Sequence, residues 1–361
     1  MRASSWANLG PIPVSGVVHR SSAAAIGTSP AGLGYDGGVI EEDAVPRFKL
    51  GIQPLTYGLS WSESRRTAEA VDRLGYDYLW GHDHLFSTGG DPFQPFFEGW
   101  TTLAAWSAMT SRVRLGLLVG ANPFRNPGVV AKMAATVDHI SGGRLILGLG
   151  AGNRELEAAA HGIDPGRSIG QRLDWLDEAL GIVRGLLDGE VVSHESDRYQ
   201  FAGVRHAPRP LQAHLPFVVG SSGEKKGLRI VARHADLWQM WLAMDDVELF
   251  RHKAAVLAEH CRAIGRDPAT VEHTIGGKLV IRRDAAAARQ VFENQMLVHG
   301  WPESVRTEMG WSGTPDQVAR ALLAFRQAGA AGFSPSIAAP LDLETIELLA
   351  TDVRPMLDAA G

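Results

Sequence analysis

The chain has 361 residues, 35 basic against 40 acidic, for a formal net charge of −5, with 45% hydrophobic and 21% charged residues. These are ordinary globular values and exclude a disordered chain. Mild acidity speaks against a nucleic-acid partner, which calls for a clustered basic footprint. The one cysteine, Cys261, allows no internal disulfide and reads as a buried thiol. No apolar run is long enough for a membrane span, and Pro11 and Pro13 interrupt the N-terminus where a secretory leader needs an apolar stretch. A cytoplasmic enzyme acting on a small molecule is the expectation.

Residues 1–46 are rich in Gly, Ser, Ala and Pro and lack periodicity. They read as a flexible N-terminal extension ahead of a single domain over 47–361. From Phe48 apolar strands alternate with amphipathic helices. Phe48–Ile52 predicts strand one. Ser60 and Glu63 form a capping-box pattern for a helix to Leu74, which Gly75 ends. Tyr78–Trp80 predicts strand two, Trp100–Met109 a helix, and Val113–Val119 strand three. Val129–Ile140 predicts a helix stopped by Ser141-Gly142-Gly143, and Arg144–Leu149 strand four. A helix over 173–187 precedes an excursion at 190–215 with β-like pieces around Tyr199 and Phe201. Phe217–Val219 is strand five, with a helix over 225–234. Asp236–Trp241 is strand six, with a helix from Asp245 to about Ile264. Val271–Ile281 is strand seven. Thr314-Pro315-Asp316-Gln317 marks a helix start, Gly332–Ser334 strand eight, and a last helix follows Asp342. Eight strands, each followed by helix, predict an α/β fold, a (β/α)8 TIM barrel with insertions at 190–215 and 282–313.

In such a barrel the segments after each strand carry the chemistry. After strand two, Gly81-His82-Asp83-His84 offers an imidazole for proton transfer with a neighbouring carboxylate, or a structural strand-end histidine. A metal is not expected, since no H-E-x-x-H or cysteine cluster accompanies the histidines. After strand three, Asn122-Pro123-Phe124-Arg125-Asn126-Pro127 is a proline-stiffened loop whose Arg125 serves an anion or a loop-fixing salt bridge. After strand four comes Gly148-Leu149-Gly150-Ala151-Gly152-Asn153, and after strand five Gly220-Ser221-Ser222-Gly223. Each lets backbone N–H groups approach a phosphate before a helix, or allows tight turn packing; the pair together suggests a phosphorylated cofactor. His139 and His234 read as helix-end residues, and Trp80, Trp100, Trp106, Trp238 and Trp241 as core or pocket wall.

Several segments together resemble the luciferase-like monooxygenase superfamily, in particular its coenzyme F420-dependent oxidoreductase branch. They are Asp83-His84-Leu85, the run from Leu115 to Gly152 with Asp138-His139-Ile140-Ser141-Gly142-Gly143-Arg144, and Ala232–Trp238. The resemblance implies a barrel binding F420, alternatively FMN, across the strand ends. Gly150, Ala151, Gly152, Gly220, Ser221 and Ser222 then match the phosphate side, and Asp83 and Asn122 belong to the same cofactor-binding set. It implies a non-proline cis peptide at Leu118-Val119 against the back of the ring, and His84 as the catalytic proton-transfer residue. Family members are commonly dimers, which implies a homodimer. The F420-dependent sugar-phosphate dehydrogenases carry a glutamate where this chain has Asn153 and a tryptophan where it has Thr88, so another substrate is expected. Hydride transfer between F420 and a small organic substrate is the leading expectation. The rivals are an FMN-dependent monooxygenase using O2 and reduced flavin, and a non-catalytic flavin-binding protein.

Overall fold

The structure is a computed structural model and describes residues 47–339 and 341–360; the expected N-terminal extension lies outside the described residues. In chain order β1 (Lys49–Pro54), α1 (Trp61–Arg73), β2 (Tyr78–Gly81), α2 (Gly99–Met109), β3 (Arg114–Leu117) and β4 (Gly120–Ala121) come first. They are followed by α3 (Pro127–Ser141), β5 (Leu147–Gly150), α4 (Glu155–Ala160) and α5 (Ile169–Asp188). The antiparallel hairpin β6 (Val192–Glu195) and β7 (Gln200–Val204) leads to β8 (Phe217–Gly220), α6 (Gly227–His234), β9 (Leu237–Trp241) and α7 (Val247–Ala263). Next are β10 (Glu272–Gly276), β11 (Lys278–Ile281), α8 (Ala285–His299), α9 (Glu303–Met309), β12 (Gly310–Gly313) and α10 (Pro315–Gln327). The short strands β13 (Gly332–Phe333) and β14 (Ser336–Ile337) precede α11 (Leu343–Leu348) and α12 (Arg354–Ala359).

The predicted caps form where the side chains dictate. Ser60 and Glu63 cap α1 reciprocally, and Thr314 and Gln317 do the same for α10 behind Pro315. Gly142 ends α3 in the left-handed conformation, at φ 68°, which glycine adopts without a side-chain clash.

Parallel pairing runs β1–β2–β3, crosses by the Leu115–Leu145 bridge to the segment entering β5, and continues β5–β8–β9–β10–β13 back to β1. This is the (β/α)8 TIM barrel. Three predicted strands are interrupted. Strand three stops at Leu117 and resumes at Gly120, strand seven breaks at Gly277, and strand eight breaks between Phe333 and Ser336. The expected insertion at 282–313 holds α8, α9 and β12, and β12 pairs with β11. The 190–215 excursion carries the β6–β7 hairpin as expected.

Strand side chains alternate between faces, and this decides what the barrel encloses. Leu79, Leu147, Phe217 and Val219 belong to the large core between strands and helices. Tyr78, Trp80, Ile146, Val218 and Leu237 form a separate inner cluster with Leu118. At the strand starts the interior is closed by the Lys49–Glu272 ion pair and by Tyr78, whose hydroxyl donates to Glu272. Cys261 is fully buried on α7, and Trp80, Trp106 and Trp238 are core residues, as expected.

Gly148 marks the tightest approach of neighbouring strands. A Cβ there stands 1.8 Å from the Leu117 carbonyl oxygen and 3.1 Å from Val218 Cγ1. Backbone on one side and a buried valine on the other leave no soft neighbour to yield. Gly148→Ala is expected to cost roughly 3 kcal/mol by overpacking. Denaturant unfolding checks this; an unchanged midpoint contradicts the close approach.

Candidate active site

Continuing the inward rows of the strands places the predicted residues at one mouth of the barrel. Along β5 the inward row is Ile146, just before the strand, then Gly148 and Gly150, and on β8 it is Val218, Gly220. Between them stands Val119, whose side chain lies 2.5 Å from the position of a Gly150 Cβ and 3.6 Å from that of a Gly220 Cβ. The Leu118–Val119 peptide is cis, at the position the resemblance implied. The Leu118 carbonyl accepts a 2.6 Å hydrogen bond from Gln53 Nε2, which leaves Gln53 Oε1 buried without a partner. Gln239 is the counterpart on β9: Oε1 accepts from Thr274, and Nε2 is buried and unpaired. The β5 and β8 side of the mouth is therefore floored by glycine and one valine, with unpaired amide atoms on β9 beside it and on β1.

Loops complete that floor. Gly152 has φ 75°, and a Cβ there meets the Pro123 ring at 3.2 Å. Ala151 packs against the main core, while Ser222 and Gly223 are exposed. Ser221 O accepts from Trp238 Nε1, and no side chain caps the first turn of α6. Lys226, near that turn, is occupied by Asp174.

His84 lies on the β2 side. Its Nδ1 is 2.9 Å from Glu157 Oε2, and Glu157 Oε1 accepts from the backbone N–H groups of Leu85 and Phe86. Burial pushes the Glu157 carboxyl upward, but the hydrogen bonds from His84 and from Phe86 and Leu85 outweigh it and hold the group below the ordinary carboxylate range. Its place in the first turn of α4 acts in the same sense. An ionised Glu157 fixes the proton on Nδ1 and leaves Nε2 for exchange with a ligand. A narrow cleft opens beside this pair, lined by His84, Ala121, Pro123, Gly152, Arg154 and Glu157.

Two other predicted residues are engaged by the protein itself. Asp83 accepts from Arg125 at 2.7 and 3.0 Å and from the Ala121 N–H at 2.8 Å. Arg125 also pairs with Glu98, the cap of α2, so it is a loop-fixing residue. Asn122 donates to the Tyr199 hydroxyl of the excursion. Both side chains brace the mouth, and Asp83 and Asn122 do not join His84 in the cleft lining. His139 binds the Arg209 carbonyl and His234 pairs with Asp177, so both tie helix ends to neighbouring segments.

The residues that sequence reasoning missed are Glu157, Gln53, Gln239, His82 as a buried neutral group, and Lys278. Burial, with His84 and Lys278 nearby, holds His82 well below the ordinary imidazole range, and its Nε2 has no partner. One local signal existed for Lys278: a lone charge opening the apolar run Lys278-Leu279-Val280-Ile281 after two glycines.

A profile of the luciferase-like monooxygenase family matches residues 47–308. The chain belongs to this family. An uncharacterized protein of Mycobacterium tuberculosis is 36% identical over 148 residues, 41% of this chain and 51% of the relative. The 4-hydroxyprotoasukamycin monooxygenase of Streptomyces nodosus subsp. asukaensis is 30% identical over 61% of this chain and 59% of the relative. The F420-dependent hydroxymycolic acid dehydrogenase of M. tuberculosis is 30% identical over 62% and 60%. The chain thus spans about half to three fifths of the length of these curated relatives. Among solved structures, the coenzyme F420-dependent tetrahydromethanopterin reductase of Methanopyrus kandleri superposes with a TM-score of 0.68 at 18% identity, covering 86% of this chain and 99% of that one. The monooxygenase RslO1 of Streptomyces bottropensis gives 0.70 at 24%, covering 85% and 99%. These two likenesses support the fold. The named relatives include both an F420-dependent dehydrogenase and a monooxygenase.

Proposed function

We propose that this luciferase-like enzyme transfers a hydride between coenzyme F420 and a small organic substrate. The observation that carries the reading is the glycine and valine floor at Val119, Gly150 and Gly220, flanked by the His84–Glu157 pair. A Cβ at Gly150 would fill that floor against Val119, and the unpaired Gln53 Oε1 and Gln239 Nε2 are buried groups a heteroaromatic ring can satisfy. Gly150, Ala151 and Gly152 in one loop, and Gly220, Ser221 and Ser222 before the uncapped α6 in the other, would hold the phosphate side. Glu155 and Glu157 in the first turn of α4 make the α6 loop the better anion site of the two.

Bound F420 supplies a two-electron hydride donor or acceptor. The chain's own task is to orient the partners and to exclude water. Glu157 orients the His84 ring through Nδ1, and His84 takes or gives a proton at Nε2, on an alcohol being oxidised or a carbonyl being reduced. The named M. tuberculosis dehydrogenase favours F420, while the Streptomyces nodosus monooxygenase favours the second reading, an FMN-dependent monooxygenase using O2 and reduced flavin. A cytoplasmic homodimer without nucleic-acid or membrane partners completes the proposal; the net charge of −5 accords with it, and among the described residues no helix is long and apolar enough to cross a membrane.

Separate titrations of the apo-protein with F420 and with FMN, followed by cofactor fluorescence, test the reading. The expected outcome is F420 binding at least tenfold tighter than FMN binding, about 1.4 kcal/mol of preference. The reverse order overturns it in favour of the monooxygenase.

A further inference from the structure

Opposite the glycine floor, the inward rows end in large polar and aromatic side chains. Trp80 is followed by His82 just past β2, Gln239 by Trp241 on β9, and Gly276 by Lys278 at the start of β11. The Lys278 ammonium lies 4.2 Å from the Trp301 ring centroid and 5.7 Å from that of Trp241. Trp301 packs against His299 at 4.8 Å, and His299 against Tyr57 at 5.2 Å, so one continuous wall runs from Trp241 on β9 through the segment after α8 to the loop after β1. His82 Nε2 in this wall is buried without a partner among the described residues, while the Tyr57 hydroxyl lies beside the Trp301 indole. Tyr57 is 1% and His299 7% exposed. No carboxylate lies within ion-pair distance of Lys278 among the described residues.

We propose that Lys278 anchors a carboxylate of the substrate, with Trp241 and Trp301 flanking the carbon skeleton that bears it. The inference rests on the reading of this mouth as a redox site and narrows its substrate to a class, a small monocarboxylic acid with a flat or apolar body.

Charge count leads to a single anion. Burial, assisted by Arg154, presses the Lys278 ammonium down to about 7, the mark of a cation that the protein leaves uncompensated. Burial also lowers His299, and His82 is lower still, so the two imidazoles enter as neutral hydrogen-bonding groups and not as further cations. Arg154 is exposed and donates to the Thr88 carbonyl. One half-buried cation among indole rings suits a monoanion with an apolar body. A phosphate dianion needs more donors than this wall offers. The cation–π contacts with Trp301 and Trp241 hold the ammonium in place until that anion arrives.

The test uses the full-length apo-protein, so it does not depend on which cofactor binds. Benzoate, benzamide and inorganic phosphate are titrated separately by calorimetry and by tryptophan fluorescence. Benzoate is expected to bind saturably, with benzamide and phosphate at least tenfold weaker. Lys278→Met is expected to weaken benzoate at least tenfold, and Lys278→Arg to stay within about threefold of wild type, which guards against a folding defect in the first variant. Trp301→Phe is expected to diminish the fluorescence change while calorimetry still reports binding. Equal benzoate affinity in Lys278→Met, absence of benzoate binding to wild type, or preference for phosphate each overturns the proposal. Failure of F420 to bind leaves these results standing, so the two readings fail separately.

Discussion

Replacing His84 with alanine is expected to lower kcat by roughly 10²- to 10³-fold with any alcohol or carbonyl substrate the enzyme turns over, the range supplied by a positioned acid–base group. Cofactor affinity is expected to change by less than about threefold, because the glycine floor and the α6 loop are untouched. The physical basis is a single ring with two assigned nitrogens. Nδ1 is held by Glu157 at 2.9 Å, and Nε2 is left for exchange. Glu157→Gln separates the two contributions. Its amide oxygen still accepts from the Leu85 and Phe86 N–H groups, so the loop keeps its shape, but the ring loses a charged acceptor for Nδ1–H. A loss of about tenfold in kcat, with little change in KM, is expected for that variant. Steady-state kinetics with matched cofactor titrations decide the matter. If His84→Ala turns over at the wild-type rate, His84 is a structural strand-end residue and the chemistry lies elsewhere.

The barrel was legible because its signals are local. Alternating apolar runs, the capping boxes at Ser60 and Thr314 and the stop at Gly142 each need only a few consecutive residues. The breaks were not legible in the same way. Nothing in the composition of Val113–Val119 marks the interruption after Leu117; its position came from the family resemblance, and the cis peptide lies at Leu118–Val119 as that implied. Gly277 broke strand seven where β-rich sequence continued on both sides, and the stretch after it turned out to be structured because β11 offers β12 a parallel edge. In the site, the glycine loops could be read from spacing. The partnerships could not. Glu157 reaches His84 across 73 positions, and Glu272 reaches Tyr78 across 194. Arg125 could be identified as an anion binder or a salt-bridge former, but choosing between them required knowing that β4 returns it to Asp83.

That last pair carries the largest expected stability effect. Arg125→Ala is expected to destabilise the fold by roughly 3–5 kcal/mol, the usual cost of stranding one partner of a buried ion pair. The Asp83 side chain is 1% exposed and that of Arg125 16%, so water cannot replace the lost guanidinium at Asp83. Glu98 loses its partner too, but it is more exposed and still caps α2, so it adds little. Even in the intact protein burial outweighs Arg125 and holds the Asp83 carboxyl above the ordinary carboxylate range. Removing the guanidinium pushes it higher. A carboxyl whose folded-state pKa lies above its unfolded one binds more protons when folded, so stability declines as pH rises through that interval. The deficit of the variant relative to wild type is therefore expected to be greatest near neutral pH and to shrink as pH falls, as protonation of Asp83 removes the stranded charge. Asp83→Asn combined with Arg125→Met removes both charges while leaving an oxygen for the Ala121 N–H, and is expected to recover roughly 2 kcal/mol of the loss. Denaturant unfolding of the wild type and the two variants at pH 5 and pH 7.5 measures both expectations. A deficit that does not vary with pH, or a double variant no more stable than Arg125→Ala, shows that the pair acts through packing and not through its buried charge.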